Sequence, residues 1–118
     1  MRLRVLILSL LLMAFGNAAA YAHAFLDHAS PLVGSTVASA PRELSLTFTQ
    51  NIETVYSSVE VTDANGARVD QGKPQISGNT MRVGLKSLSQ GSYRVRWHVL
   101  SVDTHKTEGS FTFRVGGP

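Results

Sequence analysis

From residue 43 onward, apolar and polar residues alternate. Leu44, Leu46 and Phe48 share one parity against Ser45 and Thr47, and Val55, Ser57, Val59 and Val61 share another. Met81, Val83 and Leu85 repeat the pattern, as do Tyr93, Val95, Trp97 and Val99 against Arg94, Arg96 and His98. Phe111, Phe113 and Val115 close it. A period of two means strands with one buried face and one wet face. Turn signals separate them: Ser30-Pro31, Ala40-Pro41, Asp63-Ala64-Asn65-Gly66, Gly72-Lys73-Pro74, Ser77-Gly78-Asn79 and Gln90-Gly91. Asn-Gly suits a hairpin because it accepts positive φ. No stretch has helical periodicity, and there is no repeat or linker. The spacing predicts an all-β fold, an antiparallel sandwich or barrel. Tyr93 and Trp97 lie on the apolar parity and are read as core anchors rather than a stacking site.

The first 22 residues read differently. Arg2 and Arg4 precede an apolar run over 5–15 that only Ser9 interrupts, and residues 16–22 are small and mildly polar. This is the order of a secretory signal peptide, and the run is too short for a permanent membrane span. Residues 1–22 are therefore assigned to a signal peptide and 23–118 to one domain. Small residues at −3 and −1 permit cleavage after Ala20, Ala22 or Ala24, giving products that begin at Tyr21, His23 or Phe25. Export, with the periplasm as the expected destination, follows from this assignment.

Composition narrows the chemistry. The chain has 118 residues, enough for one domain, and no cysteine, so neither a disulfide nor a thiolate ligand is available. Its formal charge is +3, but the leader holds Arg2, Arg4 and no acid, which leaves 9 basic against 8 acidic residues. No basic stripe with interleaved aromatics points to nucleic acid. No second hydrophobic segment appears, so the processed chain is expected not to insert in a membrane.

Four histidines occur, His23, His28, His98 and His105. There is no Gly-x-Ser-x-Gly elbow and no phosphate-binding glycine loop. Asp103-Thr104-His105 is the suggestive local pattern. In an extended segment, residues two apart project to one face, so Asp103 and His105 could reach the same ion. Taken alone, this motif is weak and reads first as a solvated loop with a capping Asp and a surface His. An N-terminal His23 would add two nitrogens, its α-amine and its imidazole Nδ1, closing a chelate ring. With His105 as a third nitrogen and Asp103 as an oxygen, the set suits tetragonal Cu(II) and favours copper over zinc. Met81 is the only methionine after the leader, so a thioether-rich Cu(I) site is not available. His28 and His98 stand at odd spacings from His23 and His105 and are expected to be exposed or otherwise satisfied.

Several motifs together resemble the CopC-type (CopC/YobA-like) family of periplasmic copper-resistance proteins. They are Ala22-His23-Ala24-Phe25-Leu26, Ser30-Pro31, Gly34-Ser35 and the run from Pro41 to Asn51. The most specific are Gly91-Ser92-Tyr93-Arg94-Val95-Arg96-Trp97, Ser101-Val102-Asp103-Thr104-His105 and Gly109-Ser110-Phe111-Thr112-Phe113. The resemblance covers nearly all of residues 23–118. It implies a Greek-key, immunoglobulin-like β-sandwich of about seven strands. It also implies Cu(II) held by the processed N-terminal histidine and the Asp-x-His motif, here His23, Asp103 and His105, which favours cleavage after Ala22. A membrane copper transporter of the CopD type is the partner it suggests. Two departures stand out. Gln50 occupies a position where some members carry Glu, and the region 63–74 lacks the methionines of members that also bind Cu(I).

The reading is thus a binder for copper homeostasis and resistance, not an enzyme. A histidine-brace copper oxygenase is the enzymatic alternative, but it needs an open position, which Asp103 would fill. A metal-free interaction module is the third reading, and it predicts no effect of losing His23.

Overall fold

The computed structural model describes residues 24–116; residues 1–22, which the sequence assigns to a signal peptide, and His23 lie outside them. Eight strands form two four-stranded sheets and no helix is present among the described residues. One sheet has the order β1 (Leu26–Ser30), β3 (Glu43–Phe48), β6 (Thr80–Leu85), β5 (Asp70–Ser77). The other has β2 (Thr36–Val37), β8 (Lys106–Val115), β7 (Gly91–Leu100), β4 (Ser58–Thr62). All pairings are antiparallel except β2 with β8. The fold is therefore a sandwich, with one parallel edge pairing that alternation could not reveal.

The alternating residues fill the space between the sheets. Leu44, Leu46, Phe48, Met81, Val61, Val95, Val99 and Phe113 are all buried. Each such side chain stabilises the fold by roughly 1.5–3 kcal/mol. Trp97 of β7 meets Phe48 of β3 edge to face at 5.1 Å, joining the two sheets. Tyr93 stacks on its cross-strand partner Phe113 at 5.5 Å, and its hydroxyl donates to the Ser89 carbonyl at 2.6 Å. Both aromatics are core anchors, as their parity implied. Gly109 lies opposite Trp97, and a Cβ there would stand 2.5 Å from Trp97 Cζ2. The indole thus occupies the volume that any other residue at 109 would need.

Three local expectations are corrected. The strand expected over 55–62 begins only at Ser58, because Tyr56 has φ of 69° and breaks the extended run. Val55 is consequently 62% exposed rather than core. Gly72-Lys73-Pro74 is not a turn between strands. It is an irregularity inside β5, where the register with β6 shifts between Gln71 and Gln75. An edge strand tolerates proline and a bulge because its outer side has no ladder to break. Finally, the Asp63–Gly66 turn closes only one bridge, Thr62 with Arg68, before the chain crosses to the other sheet as β5. Asp63 Oδ1 organises that turn by accepting from the N–H groups of Asn65 and Ala67, and Gly66 supplies its φ of 83°.

Asp70 secures the crossing. Its carboxylate accepts from Arg68 Nε and Nη2, both at 2.7 Å, and from the Val61 N–H of β4 at 2.9 Å. The Arg68 hydrogen bond holds the Asp70 carboxyl below its ordinary value, burial opposes this, and the Val61 N–H adds to the lowering. A depressed native pKa stabilises the fold above the unfolded value of about 4, and that contribution disappears as pH falls through the native value. Asp70→Asn is expected to cost about 1.5–3 kcal/mol at pH 7, by the strength of hydrogen bonds to charged groups. It should also flatten the loss of stability below about pH 4, as read by urea unfolding across pH. Gly109→Ala is expected to cost roughly 1–3 kcal/mol through overpacking and to shift Trp97 fluorescence to longer wavelength.

Candidate metal centre

β7 ends at Leu100 and β8 begins at Lys106, so Asp103 and His105 sit in the connection between the two longest strands. The segment is not extended, and the same-face argument for Asp103 and His105 does not apply. It is a turn in which Ser101 N–H donates to the His105 carbonyl at 2.9 Å and Thr104 N–H to the Ser101 carbonyl at 2.9 Å. Thr104 takes φ of 72° to close it, and its hydroxyl donates to the Asp103 carbonyl at 2.5 Å. The turn achieves what alternation was expected to do. Asp103 Oδ1 and His105 Nδ1 stand 3.4 Å apart, both side chains partly exposed.

Ser101 is the hub that sequence reasoning missed. It is fully buried. Its hydroxyl donates to Asp103 Oδ1 and accepts the His105 N–H at 3.2 Å. That donation holds the Asp103 carboxyl below its ordinary value; desolvation opposes the effect, and the His105 ring reinforces it. The anionic form suited to a cation is thereby favoured. A serine two before the Asp of Asp-x-His was the available signal, but nothing local distinguishes it from a turn residue.

Two further segments converge on this end of the sandwich. Val102 N–H donates to the Asn51 carbonyl at 3.1 Å, and Glu53 N–H donates to the Leu100 carbonyl at 2.8 Å. The buried Ser57 hydroxyl accepts the Leu100 N–H at 3.1 Å. Gln50, partly buried, belongs to the same loop. The start of the described chain arrives here as well. Ala24 is fully buried and its carbonyl accepts from Thr107 Oγ1 at 2.5 Å, two residues beyond His105. Phe25 and Thr49 exchange hydrogen bonds: the Phe25 N–H donates to Thr49 Oγ1 at 2.9 Å, and the Thr49 N–H to the Phe25 carbonyl at 2.8 Å.

The other histidines stand on strands. His28 of β1 contacts Asp27 at 2.8 Å, and His98 of β7 contacts Glu108 at 2.9 Å, both exposed. Among the described residues, no group of three or more His, Cys, Asp or Glu side chains is placed to hold a metal. The turn therefore offers two donors, one carboxylate and one imidazole, and a full coordination set needs a further contributor.

A two-sheet sandwich carrying a carboxylate–imidazole pair in the turn of its longest hairpin defines a small β domain. The chain belongs to the CopC domain family, whose model matches residues 26–116. It is 36% identical over 99 residues to Protein YobA of Escherichia coli K12, covering 80% of each chain. It is 33% identical over 114 residues to Copper transport protein CutJ of Bacillus subtilis, covering 93% of this chain and 21% of that one. The solved structure of PcoC, a methionine-rich copper resistance protein from Escherichia coli, superposes with a TM-score of 0.70 at 31% identity, covering 80% of this chain and 99% of that one. Here, by contrast, Met81 is the only methionine among the described residues, and it is buried in the core.

Ser101→Ala is expected to raise the Asp103 carboxyl pKa toward its ordinary value, because the largest stabiliser of the anion is removed. Carbonyl-detected NMR titration of Asp103 measures this.

Proposed function

We propose that the chain is exported, processed to begin at His23, and binds one Cu(II) ion through His23, Asp103 and His105. The anchoring of Ala24 against Thr107 carries this reading. Adjacent Cα atoms lie about 3.8 Å apart, so a ligand on the residue before Ala24 has little distance to cover. The α-amine and imidazole of His23 complete a set of three nitrogens and one oxygen with the two side chains of the turn. That donor set suits Cu(II). A carboxylate ligand stabilises Cu(II) over Cu(I), which disfavours reductive activation of oxygen and favours a binder over an enzyme.

The function that follows is sequestration or delivery of copper in the periplasm, for homeostasis and resistance. A membrane copper transporter of the CopD type is the proposed recipient. In CutJ, a region similar to this chain forms about a fifth of a copper transport protein, which supports a working association between such a domain and a transporter.

Electron paramagnetic resonance and competition titration of the exported protein test the site. One Cu(II) with three equatorial nitrogens is expected, with affinity falling as pH drops, because amine and imidazoles must lose protons to bind. His105→Ala should remove one nitrogen from the spectrum. Adding one residue before His23 should abolish the chelate. Thr107→Val should weaken binding about tenfold, the scale for supporting residues around a metal site. If the N-terminally extended protein bound Cu(II) as tightly as the processed one, the proposed site would be wrong.

A further inference from the structure

The outer face of the β2-β8-β7-β4 sheet has no part in the site above. β7 turns Arg94, Arg96 and His98 to solvent, and their register partners Thr112, Ser110 and Glu108 on β8 and Thr62, Glu60 and Ser58 on β4 share that face. Arg114 joins them beside Ser92, to which its Nη1 donates at 2.5 Å. The acids of the face are already engaged, Glu60 by Arg68 at 3.4 Å, Glu108 by His98 at 2.9 Å, and Asp63 at its edge by the N–H groups of Asn65 and Ala67. Arg94 and Arg96 make no direct ion pair among the described residues, although Glu60 stands opposite Arg96 in register and Asp63 lines the same hollow as both. Side chains two apart on a strand stand roughly 7 Å apart, so these like charges repel one another along β7. On the opposite sheet Arg82 faces Glu43 at 3.9 Å and His28 faces Asp27 at 2.8 Å, leaving Lys73 of the edge strand β5 as a single cation without an ion pair among the described residues.

We propose that this face docks on an anionic phospholipid surface. Three features favour that occupant. The unmatched charge is guanidinium, which binds phosphate oxygens in a bidentate fork, and the intervening Ser92, Thr62 and Thr112 supply hydroxyl donors. A protein interface needs apolar or aromatic anchors at its centre. The exposed large apolar residues, Phe25, Leu32, Val33, Val55, Tyr56 and Val102, all lie outside β4, β7 and β8. Nor does the face present an aromatic ring on which a base could stack. What remains is a hydroxyl-lined sheet face whose free charge is guanidinium, complementary to a plane of phosphates. Docked in this way, the domain leaves the turn holding Asp103 and His105 at the rim of the contact, because that turn lies beyond the end of β7.

Vesicle flotation of the purified, copper-free exported protein tests this independently of metal binding. Vesicles of phosphatidylglycerol mixed equally with phosphatidylcholine should carry the protein at about 0.01 M salt and release it at about 1 M, where the screening length falls to about 3 Å. Vesicles of phosphatidylcholine alone should not carry it. Each arginine near an anionic surface is worth about fivefold in affinity, so R94E/R96E should weaken binding at least about twentyfold. K73E/R82E, on the other sheet, should bind nearly as the parent does. Unchanged Trp97 emission certifies the folded state, and R94Q/R96Q carries the test with a smaller loss if the reversal fails to fold. No flotation with phosphatidylglycerol overturns the proposal, as does equal binding by R94E/R96E. Retention on polyglutamate or duplex DNA without vesicle binding also overturns it and assigns the face to an acidic macromolecule.

Discussion

Trp97 wedged over Gly109 is the contact on which the rest depends. It sets the two longest strands in one register, ten residues against ten, and ties their sheet to the other through Phe48. A domain with no cysteine has no covalent means of holding that register. A slip by one residue would turn Trp97 and Tyr93 to water and Arg94 and Arg96 into the core. The cost of that exchange keeps the hairpin in place. Because the register is held, its connection always has five residues, and a five-residue connection closes as the turn that Ser101 braces.

The candidate site is a consequence of that closure. Asp103 and His105 need no strand geometry to meet, because the hydrogen bonds between Ser101 and His105 draw the ends of the turn together. Ser101 then serves twice, as a backbone brace and as the donor that favours a carboxylate anion at Asp103. Thr107, pointing inward at the start of β8, catches the Ala24 carbonyl and brings the beginning of the domain to the same end. The proposed copper site and the proposed basic face are thus two products of one hairpin, the first at its tip and the second along its outer side.

Much of this was legible in the residues. Strict alternation in 44–48, 81–85, 93–99 and 111–115 marks the strands that now form the core, since burying one face of a sheet demands that pattern. Asp103 and His105 stand out because few residue types ligate metals, although they meet in a turn and not in an extended segment. Other features left no local trace. Tyr56 has a strand-forming side chain, and only its φ of 69° in the folded chain shows why the strand starts late. Pro74 reads as a breaker until its strand proves to be an edge. Ser101 and Thr107 look like ordinary polar residues of a turn and a strand start.

The chain's own order of residues dictates an all-β core and names the side chains with metal-binding chemistry, because period and donor type are local properties. Tertiary structure alone paired β2 with β8 in parallel and brought Ala24, Ser101 and Thr107 around one turn. It also gathered Arg114 beside Arg94 and Arg96. These are contacts between segments far apart in the chain, and no pattern within a segment encodes which distant neighbour will close upon it.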